Sequence, residues 1–160
     1  MSAPHLHVRG VLDTNAVIGL PRIADAGMLP AEPTITTITL AELSVGPLAA
    51  SDAAERRRRQ AHLQQAEADF DPLPFDDAAA RAFGRVAADL RASGRKPAAR
   101  AYDALIAATA ISNGLPLYTA NPADFEGITD LEIVAVSVPG AALPGRVEPA
   151  TRRRVRWRTD

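Results

Sequence analysis

The chain contains no cysteine among its 160 residues, which excludes disulfides and thiolate metal sites and removes any redox argument for secretion. Aromatic residues are scarce at 4%, so a core must be built from aliphatic side chains and alanine. No apolar run approaches the roughly 20 residues that span a bilayer. The start, "MSAPHLHVRG", lacks the basic segment and apolar stretch of a signal peptide. A soluble, cytoplasmic protein with no membrane association is therefore expected. Glycine-rich phosphate-binding patterns of the GxGxxG and P-loop types are also missing. The three histidines, His5, His7 and His62, show no metal-ligand spacing and read as incidental.

What is present is a globular composition, 47% apolar and 23% charged, at a length that suits one compact domain. The net charge is -1, so nucleic acid would have to be met by a local basic patch.

Periodicity and punctuation give an alternation of strands and helices. "HLHVRGVL" reads as a buried strand, followed by a helix from about Thr14 to Asp25 and a second strand at "TIT", residues 34–36. A helix starting near Thr37 or Thr39 and another capped by Ser51 should form a helical hairpin over residues 38–70. "DPLPF" is a brief extended piece. Next comes an amphipathic helix capped by Asp76 and stopped by Gly94, with Phe83, Val86, Ala87 and Leu90 on one face. "AARAYDALIAATAISNG" is a largely apolar, hence buried, helix. "LPLYTA" is a strand, "NPADFEG" a loop or short helix and "LEIVAVS" the last strand. Such alternation implies an α/β fold with a parallel sheet and helices on both faces. Residues 1–138 form the expected domain, and 139–160 a Pro-, Gly- and Arg-rich tail.

Ligands of an open parallel sheet gather at the carboxyl ends of its strands. Four acids stand at such points: Asp13 after the first strand, Glu42 early in the helix after the second, Asp103 opening the buried helix, and Asp124 after "YTAN". Each has a local alternative. Asp13 or Asn15 can cap a helix, and Glu42 completes a capping box with Thr39. Asp103 can favour a helix N-terminus and Asp124 can order a turn. Singly, those readings win. Together, four acids flanked by apolar or small residues would repel one another unless a hard divalent cation offset them. On that joint reading Asp13 is a ligand, and capping falls to Thr14 or Asn15.

"VLDTNAVIGL", "ITTITLAEL", "AYDALIAATAISNGLPLYTANPADF" and "LEIVAV" resemble the ordered motifs of PIN-domain ribonucleases, in particular the VapC toxins of type II toxin–antitoxin systems. The likeness runs from about Val8 to Val136. It implies a PIN-like three-layer α/β/α fold with a central parallel sheet of four to five strands. It also implies a metal-dependent endoribonuclease acting as a toxin, with Mg²⁺ or Mn²⁺ as cofactor. Carried over residue by residue, the acids are Asp13, Glu42, Asp103 and Asp124, with Asn15, Thr119 and Asn121 in support. The implied partners are a VapB-type antitoxin, an RNA substrate and a second copy of the chain. The alternatives are a PIN nuclease of RNA processing without an antitoxin and a non-catalytic RNA-binding module.

For RNA contacts, Arg91, Arg95, Lys96 and Arg100 precede the Asp103 helix and are the favoured phosphate partners, against a reading as ordinary surface charge. Four consecutive arginines, Arg56 to Arg59, point round most of a helix and read as a solvated face. Arg152, Arg153, Arg154, Arg156 and Arg158 around Trp157 form a basic end suited to single-stranded RNA or to packing on a partner. The antitoxin groove is placed on the hairpin, at Leu40, Leu43, Val45 and Leu48, against the reading that these residues are core.

Overall fold

The computed structural model describes residues 5–140; the expectations for the rest of the tail, including its arginines and Trp157, lie outside the described residues. Four short strands, β1 (Arg9–Leu12), β2 (Glu32–Thr34), β3 (Leu117–Thr119) and β4 (Ile133–Ala135), form one sheet in the order β2-β1-β3-β4. Every pairing is parallel, with Val11 opposite Thr34 on one side and Leu117 on the other. The helices are α1 (Thr14–Gly19), α2 (Thr37–Val45), α3 (Ala53–Asp69), α4 (Asp77–Ala92) and α5 (Ala101–Ser112).

Side chains alternate across a strand, and the core divides accordingly. Val11, Leu117 and Ile133 pack against Val86, Leu90, Ile106 and Ala107 of α4 and α5. Leu12, Tyr118 and Val134 pack against Ala16, Val17, Leu43 and Ala66 of α1, α2 and α3. The result is the expected three-layer α/β/α arrangement, with four parallel strands.

Several boundaries differ from the sequence reading for local reasons. The first strand is only Arg9–Leu12, and Leu6 and Val8 before it are exposed. Helix α1 ends at Gly19, and a 3₁₀ turn, Leu20–Arg22, takes over where Pro21 supplies no N–H. The second strand lies two residues earlier than "TIT"; Thr36 instead bridges Leu73 of the extended "DPLPF" piece. Asp52, not Ser51, caps α3 by accepting the Glu55 N–H at 2.8 Å, while Ser51 hydrogen-bonds the Glu55 carboxylate. Asp76 caps α4 as expected. Gly94 and Gly114 close α4 and α5 with φ of 74° and 64°, where a side chain would be strained.

From β1 the chain crosses to β2 on one side and later returns to β3 on the other. The border between β1 and β3 is thus the switch point, where ligands of open parallel sheets bind. Asp13 follows β1 there, and Thr119 ends β3.

Candidate active site

Asp13 is 5% exposed. Its N–H joins the sheet by donating to the Tyr118 carbonyl at 3.0 Å. One carboxylate oxygen accepts the Ala16 N–H at 2.8 Å and caps α1, and the other accepts the Thr119 hydroxyl. The cap therefore belongs to Asp13 itself and not to Thr14 or Asn15. Burial pushes the Asp13 carboxyl up to about 6, against the partial relief of its two donors, and the charges of Asp103 and Asp124 push it the same way.

Glu42 does not close a capping box. Thr36 caps α2 by accepting the Thr39 N–H at 3.2 Å, which frees the Glu42 side chain to accept the Thr14 hydroxyl at 2.8 Å. The Thr14 oxygen also lies 3.2 Å from that of Thr39. Burial raises the Glu42 carboxyl, Thr14 partly offsets this, and the Asp103 charge adds to the rise.

Asp103 sits in the first turn of α5, a helix whose Ala104, Ile106, Ala107, Ala108 and Ala110 are buried. Its carboxyl is raised by burial and then by Asp124, with Arg100 acting in opposition. Asp124 lies in the 3₁₀ turn Pro122–Phe125, its N–H donating to the Asn121 carbonyl at 3.0 Å. The Asn121 N–H in turn donates to the Thr119 hydroxyl oxygen at 2.9 Å, so Thr119 links Asp13 to the Asp124 turn.

The charges of Asp103 and Asp124 reach Asp13, and that of Asp103 reaches Glu42. Among the described residues, however, no three carboxylates or imidazoles are drawn together as a ready cage for an ion. A cation of the protein stands between two of them: the Arg100 guanidinium donates to Asp124 at 2.6 Å and lies 3.6 Å from Asp103. Arg95 donates to the Asp124 carbonyl at 3.0 Å and lies 3.8 Å from Glu126. Of the four residues expected to contact phosphate, Arg95 and Arg100 thus bind the acidic turn, while Arg91 and Lys96 are exposed. Asn15 is exposed and lines a hollow of about 330 Å³ with Thr14, Glu42 and Arg59.

Sequence reasoning passed over Thr14 as the partner of Glu42 and treated Arg59 as one solvated arginine of four. Arg56, Arg57 and Arg58 are exposed, but Arg59 turns inward, donating to the Gly46 carbonyl at 3.0 Å and pairing with Glu55. Its only advance signal was that four consecutive arginines cannot all point the same way on a helix.

A family model of the PIN domain matches residues 11–130, and the chain belongs to the PIN-domain family. Its place there is among the VapC ribonucleases. It is 40% identical to ribonuclease VapC5 of Mycobacterium tuberculosis over 131 residues, 79% of this chain and 95% of that protein. The solved VapBC-5 toxin–antitoxin structure from the same organism matches with a TM-score of 0.68 at 40% identity, covering 81% of this chain and 99% of that one. DNA-bound VapBC from Salmonella typhimurium matches at 26% identity with a TM-score of 0.61, covering 79% and 96%.

Proposed function

We propose that this protein is a metal-dependent endoribonuclease and the toxin of a type II toxin–antitoxin pair, cleaving RNA phosphodiesters with Mg²⁺ or Mn²⁺. The observation that carries this reading is the buried Asp13 carboxylate at the switch point, held by the Ala16 N–H and the Thr119 hydroxyl and acted on by the charges of Asp103 and Asp124. One guanidinium, Arg100, stands against that charge. An oxygen-only donor set without His or Cys fits a hard divalent ion. When bound, such an ion activates a water and neutralises charge on the phosphate oxygens.

The residues divide the remaining work. Asp13, fixed by its cap and Thr119, and Asp103, on the buried helix, would hold the ion. Glu42, oriented by Thr14, and Asp124 would bind the ion through water or position and deprotonate the nucleophile. Asp124 completes the acidic wall, with Thr119 and Asn121 setting its turn and Asn15 lining the approach.

The similar VapC proteins were solved as VapBC pairs, and a VapB-type antitoxin is the expected partner here, with the toxin working as a cytoplasmic homodimer. No helix among the described residues is long and apolar enough to cross a membrane. Of the hairpin residues assigned to the antitoxin, Leu43 is core, whereas Val45 and Leu48 are exposed. A second apolar seat of about 340 Å³ lies between α1 and α3, lined by Val17, Leu20, Pro21, Ala66 and Phe70.

The test is cleavage of labelled single-stranded RNA by the purified chain. Cutting is expected in Mg²⁺ or Mn²⁺, lost in EDTA and lost in Asp13→Asn and Asp103→Asn. Equal cutting in EDTA, or full activity in both variants, would exclude the metal mechanism.

A further inference from the structure

Helix α5 buries Ala104, Ile106, Ala107, Ala108 and Ala110, yet Tyr102, beside Asp103, is 57% exposed. Among the described residues it is the only exposed aromatic side chain. A ring left in water gives up the large stabilisation that burying it would bring, so its position draws attention to what it faces. Tyr102 lines a hollow of about 460 Å³ together with Glu42, Ala98, Arg100, Ala101 and Asp103. That size lies within the roughly 300–1,000 Å³ typical of ligand sites. Glu42 also lines the hollow of Asn15, Arg59 and His62, so this acid borders both hollows.

We propose that Tyr102 is a stacking platform for an unpaired nucleobase of the RNA strand, next to the phosphate presented to the acids. The inference rests on the nuclease reading and adds a specificity residue to it. An aromatic ring recognises the π-face that every base possesses, and a base can offer that face only where the strand is single. Ala98 and Ala101 leave room beside the ring, and the carboxylates of Glu42 and Asp103 border the same hollow. A ribose-phosphate chain crossing Glu42 can therefore place a base on Tyr102 while its phosphate meets the acids. Tyr102 thereby selects unpaired RNA over duplex without reading sequence through hydrogen bonds.

The test compares binding of two fluorescent 12-nucleotide RNAs to the full chain, one oligoadenylate and one a ribose-phosphate strand without bases, with Ca²⁺ as the ion. Wild type is expected to prefer the base-bearing strand, and Tyr102→Ala to lose about five- to 150-fold of its affinity for that strand alone. Tyr102→Phe, which keeps the ring, is expected to retain the preference and so to separate stacking from any effect on folding. If Tyr102→Ala keeps the wild-type preference while wild type cuts RNA in Mg²⁺, the stacking role is wrong and the nuclease reading stands. If wild type neither cuts RNA nor binds either strand, the nuclease reading fails and the subsite fails with it.

Discussion

Asp13 serves two structures with two oxygens: one caps α1 and the other meets Thr119 across the switch point. The cap and ligand readings that compete in the sequence are compatible in space, because each carboxylate oxygen has more than one lone pair. Its raised proton affinity makes a stability prediction with a definite sign. Between the ordinary value of 3.8 and about 6, the folded metal-free chain holds a proton that the unfolded chain releases. Stability from protonated Asp13 is therefore full below about pH 4 and lost as pH rises through about 6. Asp13→Asn, which cannot ionise, is expected to exceed wild type in EDTA at pH 7.5 by up to about 3 kcal/mol. At pH 4 the two should nearly coincide, as urea unfolding would show; identical pH profiles would contradict the assignment. Arg100 makes the complementary case. Because it stands in for a cation between Asp103 and Asp124, Arg100→Met is expected to bind Mn²⁺ more tightly by calorimetry. The gain should be on the order of a few-fold, since the pairs are partly exposed; weaker binding would mean that Arg100 helps to assemble the site. The acids were legible in the sequence because each is flanked by apolar or small residues near a strand end or a helix start. The role of Thr14 was not, since its partner Glu42 lies 28 residues away and no local spacing records that contact.

At the scale of elements, the helices were read better than the strands. Helix α4 carries its apolar stripe over four turns, and Asp76 and Gly94 mark its limits. The strands are three or four residues long, too short for periodicity to separate them from neighbouring apolar residues such as Leu6 and Val8. Neighbouring candidates also defeated the cap assignments at Ser51, where Asp52 caps, and at Thr39, where Thr36 caps, because backbone geometry decides which oxygen meets the N–H. The close fit of β1 to β3 was equally hidden. A Cβ added at Gly10 would lie 2.5 Å from the ring of buried Tyr118 and 3.2 Å from Pro30. Gly10→Ala is therefore expected to destabilise the fold by about 1–3 kcal/mol through overpacking, measured by urea unfolding, and to reduce cleavage by shifting Asp13 relative to Thr119. An unchanged unfolding midpoint would show that the ring yields freely.

For the whole molecule, the parallel sheet and its order matter more than overall charge. With 18 basic and 19 acidic residues, the chain has no general attraction for RNA, so binding must come from the local site. The order β2-β1-β3-β4 brings Asp13 and Thr119 side by side, although 106 residues separate them in the chain. Helices α2 and α5 and the Asp124 turn then add the other acids. The sequence alternation of strand and helix was enough to anticipate a parallel sheet with Asp13 at the end of its first strand, but the strand order, Arg100 between two acids and the inward turn of Arg59 depend on tertiary packing. The most direct test of the central claim is to induce the chain in a bacterial host without an antitoxin and sequence the RNA 5′ ends, beside Asp13→Asn and Asp103→Asn. The expected result is growth arrest with new, discrete RNA ends in wild type and neither in the two variants. Uninhibited growth with an unchanged RNA-end profile in wild type, or the same cuts in all three, would contradict it.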